Sequence, residues 1–112
     1  MHELSLCRSI AGIARRAVAD RKVRTINLDI GELRQVVPET LAHCWQLVAV
    51  GTALAGSRLE VNRIPAVVRC LECATDTTLS GLPILRCASC QATTVEIVSG
   101  EEFTVTSIDV EV

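Results

Sequence analysis

Aromatic side chains are almost missing from this chain: one Trp, one Phe and no Tyr, 2% of the residues. Any core must therefore be built from Val, Ile, Leu and Ala. Cations are not in excess either, since 11 Lys and Arg stand against 13 Asp and Glu for a formal charge of −2. A nucleic-acid binder needs cations for the phosphates and flat rings to stack on the bases, and this composition is poor in both. Long apolar runs are lacking too. The longest nearly apolar stretch, Leu47–Ala55, falls well short of the ~20 residues that cross a bilayer. The start Met1-His2-Glu3 is not a basic region leading into an apolar run, so neither a secretory signal nor a membrane partner is expected, and the cytoplasm is the expected compartment. No glycine-rich phosphate loop is present, and neither the two histidines nor the spare cysteines have a triad-like spacing. An enzyme is not expected, and any nucleotide-driven step has to come from a partner.

What is present is cysteine. Of the six, four stand in two tight pairs, Cys70-Leu71-Glu72-Cys73 and Cys87-Ala88-Ser89-Cys90, with 13 residues between. Each C-x-x-C knuckle aims two sulfurs at one point, and the intervening loop brings the second pair opposite the first. Four soft ligands at about 2.3 Å favour a tetrahedral zinc over magnesium or calcium. With no open position, such a zinc holds structure and does not activate water. A disulfide framework is the competing use of six cysteines, but the knuckle spacing and the missing signal favour metal.

The remaining residues read as one small α/β domain. Residues 4–19 have a helical period, with Leu6, Ile10, Ile13 and Ala17 on one face and Cys7, Ala14 and Val18 beside them. Residues 20–24 are a charged connector. Ile26, Leu28 and Ile30 then alternate with polar residues in a strand that Gly31 ends. Pro38 and Glu39 suit the first turn of a second helix, with Leu41, Cys44, Trp45 and Val48 as its stripe and Gly51 as its terminator. Residues 58–64 form a second strand, and a helix between two strands implies a parallel crossover. Gly81 and Pro83 mark a turn between the knuckles. Residues 101–112 form a third strand whose apolar phase slips, from Phe103 and Val105 to Ile108 and Val110, so a bulge or bend is expected near Thr106–Ser107. The expected fold class is α+β: a small three-stranded sheet with two helices, plus an inserted zinc-ribbon-like lobe. Residues 1–66 and 100–112 form the α/β domain and 67–99 the zinc-binding domain.

The chain start has its own chemistry. The α-amine of Met1, the deprotonated amides of His2 and Glu3, and the His2 imidazole can make a square of nitrogens, an arrangement that suits Ni(II) or Cu(II). Glu3 can add an oxygen or orient the imidazole. The plainer alternative is a solvated terminus with an incidental His and Glu.

The start M-H-E-L-S-L-C, the segment I-N-L-D-I-G-E-L, the run V-P-E-T-L and the paired knuckles together resemble the HypA/HybF family, nickel-insertion accessory proteins of [NiFe]-hydrogenase maturation. The resemblance runs through the whole chain in order. It implies a nickel metallochaperone that binds Ni(II) at Met1, His2 and Glu3 and a structural Zn2+ held by Cys70, Cys73, Cys87 and Cys90. It also implies a HypB-type GTPase and a hydrogenase large subunit as partners, with urease maturation proteins in some organisms. One departure stands out. Some members carry an acid in the loop before the second helix, whereas this loop reads Arg34-Gln35-Val36-Val37-Pro38. No loop carboxylate is carried over, and Glu32 is the nearest alternative.

Two other readings compete. A zinc-ribbon nucleic-acid or transcription module fits the knuckles, but residues 67–99 hold Arg69 and Arg86 against Glu72, Asp76 and Glu96, with no aromatic. A rubredoxin-type iron carrier fits the four thiolates but lacks the aromatic packing expected around such a centre. Cys7 and Cys44 are expected to pack in the core, His43 to be solvated, and Trp45 to anchor the core with its N–H on a partner. Monomer and homodimer both remain open.

Overall fold

The computed structural model describes residues 2–80 and 84–112; Met1 and the turn expected at Gly81 and Pro83 lie outside them. Helix α1 spans His2–Val18, strand β1 Val23–Gly31, helix α2 Pro38–Ala49 and strand β2 Arg58–Ile64. Strands β3 (Val67–Cys70), β4 (Asp76–Thr78), β5 (Val95–Ser99) and β6 (Phe103–Val110) follow. The strands form two three-stranded sheets, ordered β2-β1-β6 and β4-β3-β5. The chain divides into two compact units. Unit 1 comprises residues 1–29, 36–62 and 104–112, and unit 2 comprises 30–35 and 63–103.

In unit 1, α1 carries Glu3 in its first turn and Arg15 and Arg16 in its last, complementing the helix dipole at both ends. It ends on Ala19 at φ 56°. Its buried face is Cys7, Ile10, Ala11 and Ala14. The sequence expectation placed Ile13 and Ala17 on that face, yet both are exposed; the true stripe follows Cys7 and runs one residue ahead. Helix α2 starts with Pro38 at its first position and buries Leu41, Cys44, Trp45 and Ala49, while Val48 is only half-buried. The two helices pack on each other, and their buried stripes join Ile26, Leu28 and Leu54 in an aliphatic core.

Strand β1 is the central strand. Ile26 and Leu28 are buried while Asn27 and Asp29 turn the other way, toward Ser107, Asp109 and Asn62. Arg58 shares a recess with Val23–Thr25 at one end, and Asn62 donates to Asp29 at 3.0 Å at the other, so β1 and β2 run parallel as the crossover requires. Strand β6 runs antiparallel: Glu111 N–H reaches the Lys22 carbonyl and Gly31 N–H the Glu102 carbonyl. The phase slip in β6 is real, because Thr106 and Ser107 are both exposed between half-buried Val105 and Ile108. A matching slip in β1, with Val23 and Ile26 both buried, keeps the same offset between the strands at both ends. Val61, on the edge strand β2, is 36% exposed.

Unit 2 has a sheet of its own that sequence reading did not foresee. Strand β3 pairs antiparallel with β4 and with β5, and an irregularity falls at Val67/Val68 on the β5 side. The 3-10 turn Glu32–Arg34 also belongs to this unit. Leu33 N–H reaches the Gly100 carbonyl at 2.8 Å, Arg34 Nε the Glu101 carbonyl at 2.9 Å, and the Arg34 guanidinium sits 5.9 Å from the Phe103 ring centroid.

Candidate functional site

The two knuckles of unit 2 are built alike. In the first, Cys70 Sγ accepts the N–H groups of Glu72 and Cys73, each at 3.4 Å. In the second, Cys87 Sγ accepts those of Ser89 and Cys90 at 3.4 and 3.5 Å. The residue after each pair, Ala74 or Gln91, takes a positive φ of 62° or 67° and donates its N–H to the carbonyl of the first cysteine. This turns the chain back so that Cys70 N–H meets Thr75 and Cys87 N–H meets Ala92. The left-handed residues are neither Gly nor Asn, so composition gave no warning of them.

The loop between the knuckles brings the pairs face to face. Cys70 and Cys90 sulfurs lie 3.6 Å apart, as do those of Cys73 and Cys87, and all four lie within 4.8 Å of one another. A tetrahedron with ~2.3 Å metal–sulfur bonds has edges of about 3.8 Å, so the sulfurs fit one zinc. All six cysteines are free thiols. Cys70 and Cys87 are buried and Cys73 and Cys90 exposed.

Proton affinities within the cluster diverge. The Thr75 hydroxyl, 3.3 Å from Cys73 Sγ, leads the contacts that pull the Cys73 thiol down to about 6, followed by Thr75 N–H and Cys87. Cys87 is also lowered, chiefly by the Cys90 N–H. The Ala92 N–H favours the Cys90 thiolate, but the Cys70 sulfur, burial and the other two sulfurs outweigh it and push Cys90 up to about 12. Four sulfurs this close cannot all ionise unless a cation replaces their protons. Thr75, two residues beyond a knuckle, is the member of this arrangement that spacing alone did not reveal.

At the chain start, His2 and Glu3 occupy the first turn of α1. The His2 side chain is 52% exposed and that of Glu3 13%, with His2 Nε2 3.6 Å from Glu3 Oε2. The same Oε2 accepts the Val37 N–H at 3.2 Å. Val37 is the N-cap of α2 and caps nothing with its own side chain, so a carboxylate from α1 meets the positive end of α2. The Val37 N–H, then the N–H of Glu3 itself, hold the Glu3 carboxyl below its ordinary value. Sequence reading had no signal for this partner, because a valine N–H has no side-chain signature. Met1 lies outside the described residues. Cys7, fully buried, donates to the Leu41 carbonyl at 3.5 Å. Burial, with Cys44 and Glu3 nearby, pushes its thiol up to about 11, as suits a core residue. His43 is exposed. Among the described residues no helix is long and apolar enough to cross a membrane.

Two helices, two small sheets and a tetrathiol cluster define a small metal-binding α/β protein with a zinc-ribbon-like lobe. The same fold occurs in the solution structure of the Ni metallochaperone HypA from Helicobacter pylori, at a TM-score of 0.65 over 96% of each chain and 16% identity. Residues 1–110 match the family model described as "Hydrogenase/urease nickel incorporation, metallochaperone, hypA". Similar relatives named hydrogenase maturation factor HypA include one from Desulfatibacillum aliphaticivorans, 40% identical over 98% of this chain and 87% of the relative. Another, from Geobacter sulfurreducens, is 34% identical over 99% of this chain and all of the relative. The chain belongs to the HypA family: it is a nickel-incorporation metallochaperone of hydrogenase maturation. The nucleic-acid module weighed from the knuckles is not favoured.

Proposed function

We propose that this chain carries Ni(II) at its start, on the Met1 amine, the His2 and Glu3 amides and the His2 imidazole, and that Glu3 anchors the assembly. The observation that carries this reading is the Glu3 carboxylate, held by Val37 N–H and facing His2 Nε2. The first N–H groups of a helix have no acceptor within it, so the His2 and Glu3 amides can lose protons to a metal without breaking α1. An exposed imidazole can be approached by another protein's ligands, and ligand exchange then passes the ion on. Nickel is cargo here. A structural Zn2+ on Cys70, Cys73, Cys87 and Cys90 would replace their protons and hold the knuckles together.

In this reading residues 1–66 and 100–112 form the nickel-binding domain and 67–99 the zinc-binding domain. The partners are a HypB-type GTPase, which supplies the nucleotide chemistry, and a [NiFe]-hydrogenase large subunit. Urease maturation proteins are a further class, in keeping with the family description. The compartment is the cytoplasm, where thiols stay reduced. The test is a Ni(II) titration of zinc-loaded protein with a free Met1 amine, beside His2→Ala and a form extended by two residues before Met1. Stoichiometric binding, lost in both variants, is expected. Equal binding by all three would move nickel away from the chain start.

A further inference from the structure

Unit 1 carries two adjoining recesses whose lining includes neither His2 nor Glu3. The first, of about 420 Å³, is walled by Ala49 and Val50 at the end of α2 and by Ala55, Gly56 and Ser57 ahead of β2. Val50 is 70% exposed there. The second, of about 310 Å³, lies where β1 and β2 begin, and its charged lining is Lys22, Arg24 and Arg58 against the single carboxylate of Glu111. Gly56 and Arg58 line both, so the two form one continuous surface, apolar at one end and cationic at the other. Gly56 has φ +80°, and a Cβ built there meets nothing within 4 Å, so the junction is open.

The charge is out of keeping with the chain as a whole, whose net charge is −2. Lys22 and Arg24 are exposed and make no ion pair among the described residues. Arg58 Nε meets Glu60 at 3.1 Å, but both side chains are more than half exposed. Such a pair contributes little and leaves the outer guanidinium nitrogens available. A phosphate ion would use only the cationic part. The full surface is matched by an apolar group next to several carboxylates.

We propose that this surface docks an acidic peptide segment of a partner protein, with one apolar side chain beside Val50 and carboxylates on Lys22, Arg24 and Arg58. The site lies at the C-terminal end of α2, whereas Glu3 meets its N-terminal end. A helix of 12 residues separates the two by about 18 Å, so a docked partner leaves the chain start free to exchange its ligands. The proposal stands apart from the nickel reading.

The single Trp is a built-in reporter, since Trp45 Nε1–H donates to the Oγ of Ser57, which lines the apolar recess. Zinc-loaded full-length protein is titrated with a blocked hexaglutamate carrying one central leucine, followed by Trp fluorescence and by amide shifts. Saturable binding is expected, with shifts at Lys22, Arg24, Gly56 and Arg58. Arg58→Glu and, separately, Arg24→Glu should weaken it about tenfold, and added salt should weaken the native protein in the same direction. The same peptide with Ala for Leu should bind less tightly. Equal response to inorganic phosphate would reduce the site to a general anion recess. Self-association that blocks the peptide would make a second copy the occupant. Absence of shifts in the native protein, or undiminished binding by both folded variants, would also overturn the proposal.

Discussion

Ser57 shows how much one half-buried hydroxyl can hold. Its hydroxyl accepts the Nε1–H of Trp45, which is only 2% exposed, and donates to the Leu54 carbonyl. Ser57→Ala leaves a buried indole N–H without a partner, so it should cost about 1–3 kcal/mol in urea unfolding. In a Trp45→Phe background the same change should cost far less, because no indole remains to be orphaned. Cys7 makes a second residue-scale prediction. Its thiol is raised from 9.0 to about 11, first by burial. The unfolded chain therefore ionises first as pH rises, and Cys7 contributes a loss of stability that begins near pH 9 and continues to about 11. Unfolding midpoints of native protein and Cys7→Ala, compared across that window, should converge as the pH rises. A constant gap would show that the thiol does not titrate against its burial. The packing role of Cys7 was legible in the helical period. Its bond to Leu41 was not, because 34 residues separate the partners.

At the scale of elements, the close passage of Gly31 and Gly100 constrains the fold of unit 2. A Cβ on Gly31 would run into the Gly100 carbonyl, and one on Gly100, at φ +116°, would lie 2.7 Å from Ala66 Cα. The obstacles are backbone atoms, which cannot swing aside. Gly100→Ala should therefore destabilise by about 3 kcal/mol or more, from left-handed strain and overpacking together. Gly56→Ala offers the comparison: its φ is also positive but its Cβ has open space, so it should cost only about 1 kcal/mol. Thermal unfolding of the two variants would separate them, and equal losses would argue against the close approach. The sequence marked Gly31 as a strand end by its position after an alternating run. The close approach to Gly100 became legible only once both segments were brought together.

For the whole molecule, the division into two units predicts two responses to metal removal. Unit 1 buries an aliphatic core of helix and strand residues. Among the described residues of unit 2 the buried hydrophobic ones are Ile30, Gly31's neighbour in β1, with Ala66, Val68, Cys70 and Cys87, so two of these buried groups are themselves cluster cysteines. With so little else buried among its described residues, unit 2 depends on what holds the four sulfurs together. A strong chelator, or Cys73→Ser, should collapse the amide dispersion of β3, β4 and β5 while the circular dichroism of α1 and α2 largely persists. Cooperative loss of all structure would contradict this separation.

The sequence by itself determined the two helices, the strands β1, β2 and β6, and the tetrathiol cluster. Helical period, strand alternation and the knuckle spacing are local patterns, and each acts within a few residues: Pro38 starts α2, Ile26 and Leu28 turn inward, and each C-x-x-C aims its own two sulfurs. The β6 phase slip was visible for the same reason. Tertiary structure alone decided what meets what across the chain. It set the face of α1, the second sheet, the carboxylate of Glu3 on the N–H of Val37, and the recess that joins Lys22 and Arg24 to Arg58. Backbone N–H groups look alike in every residue but proline, and cations far apart in sequence carry no mark of shared position. Such contacts therefore appear only when the chain has folded.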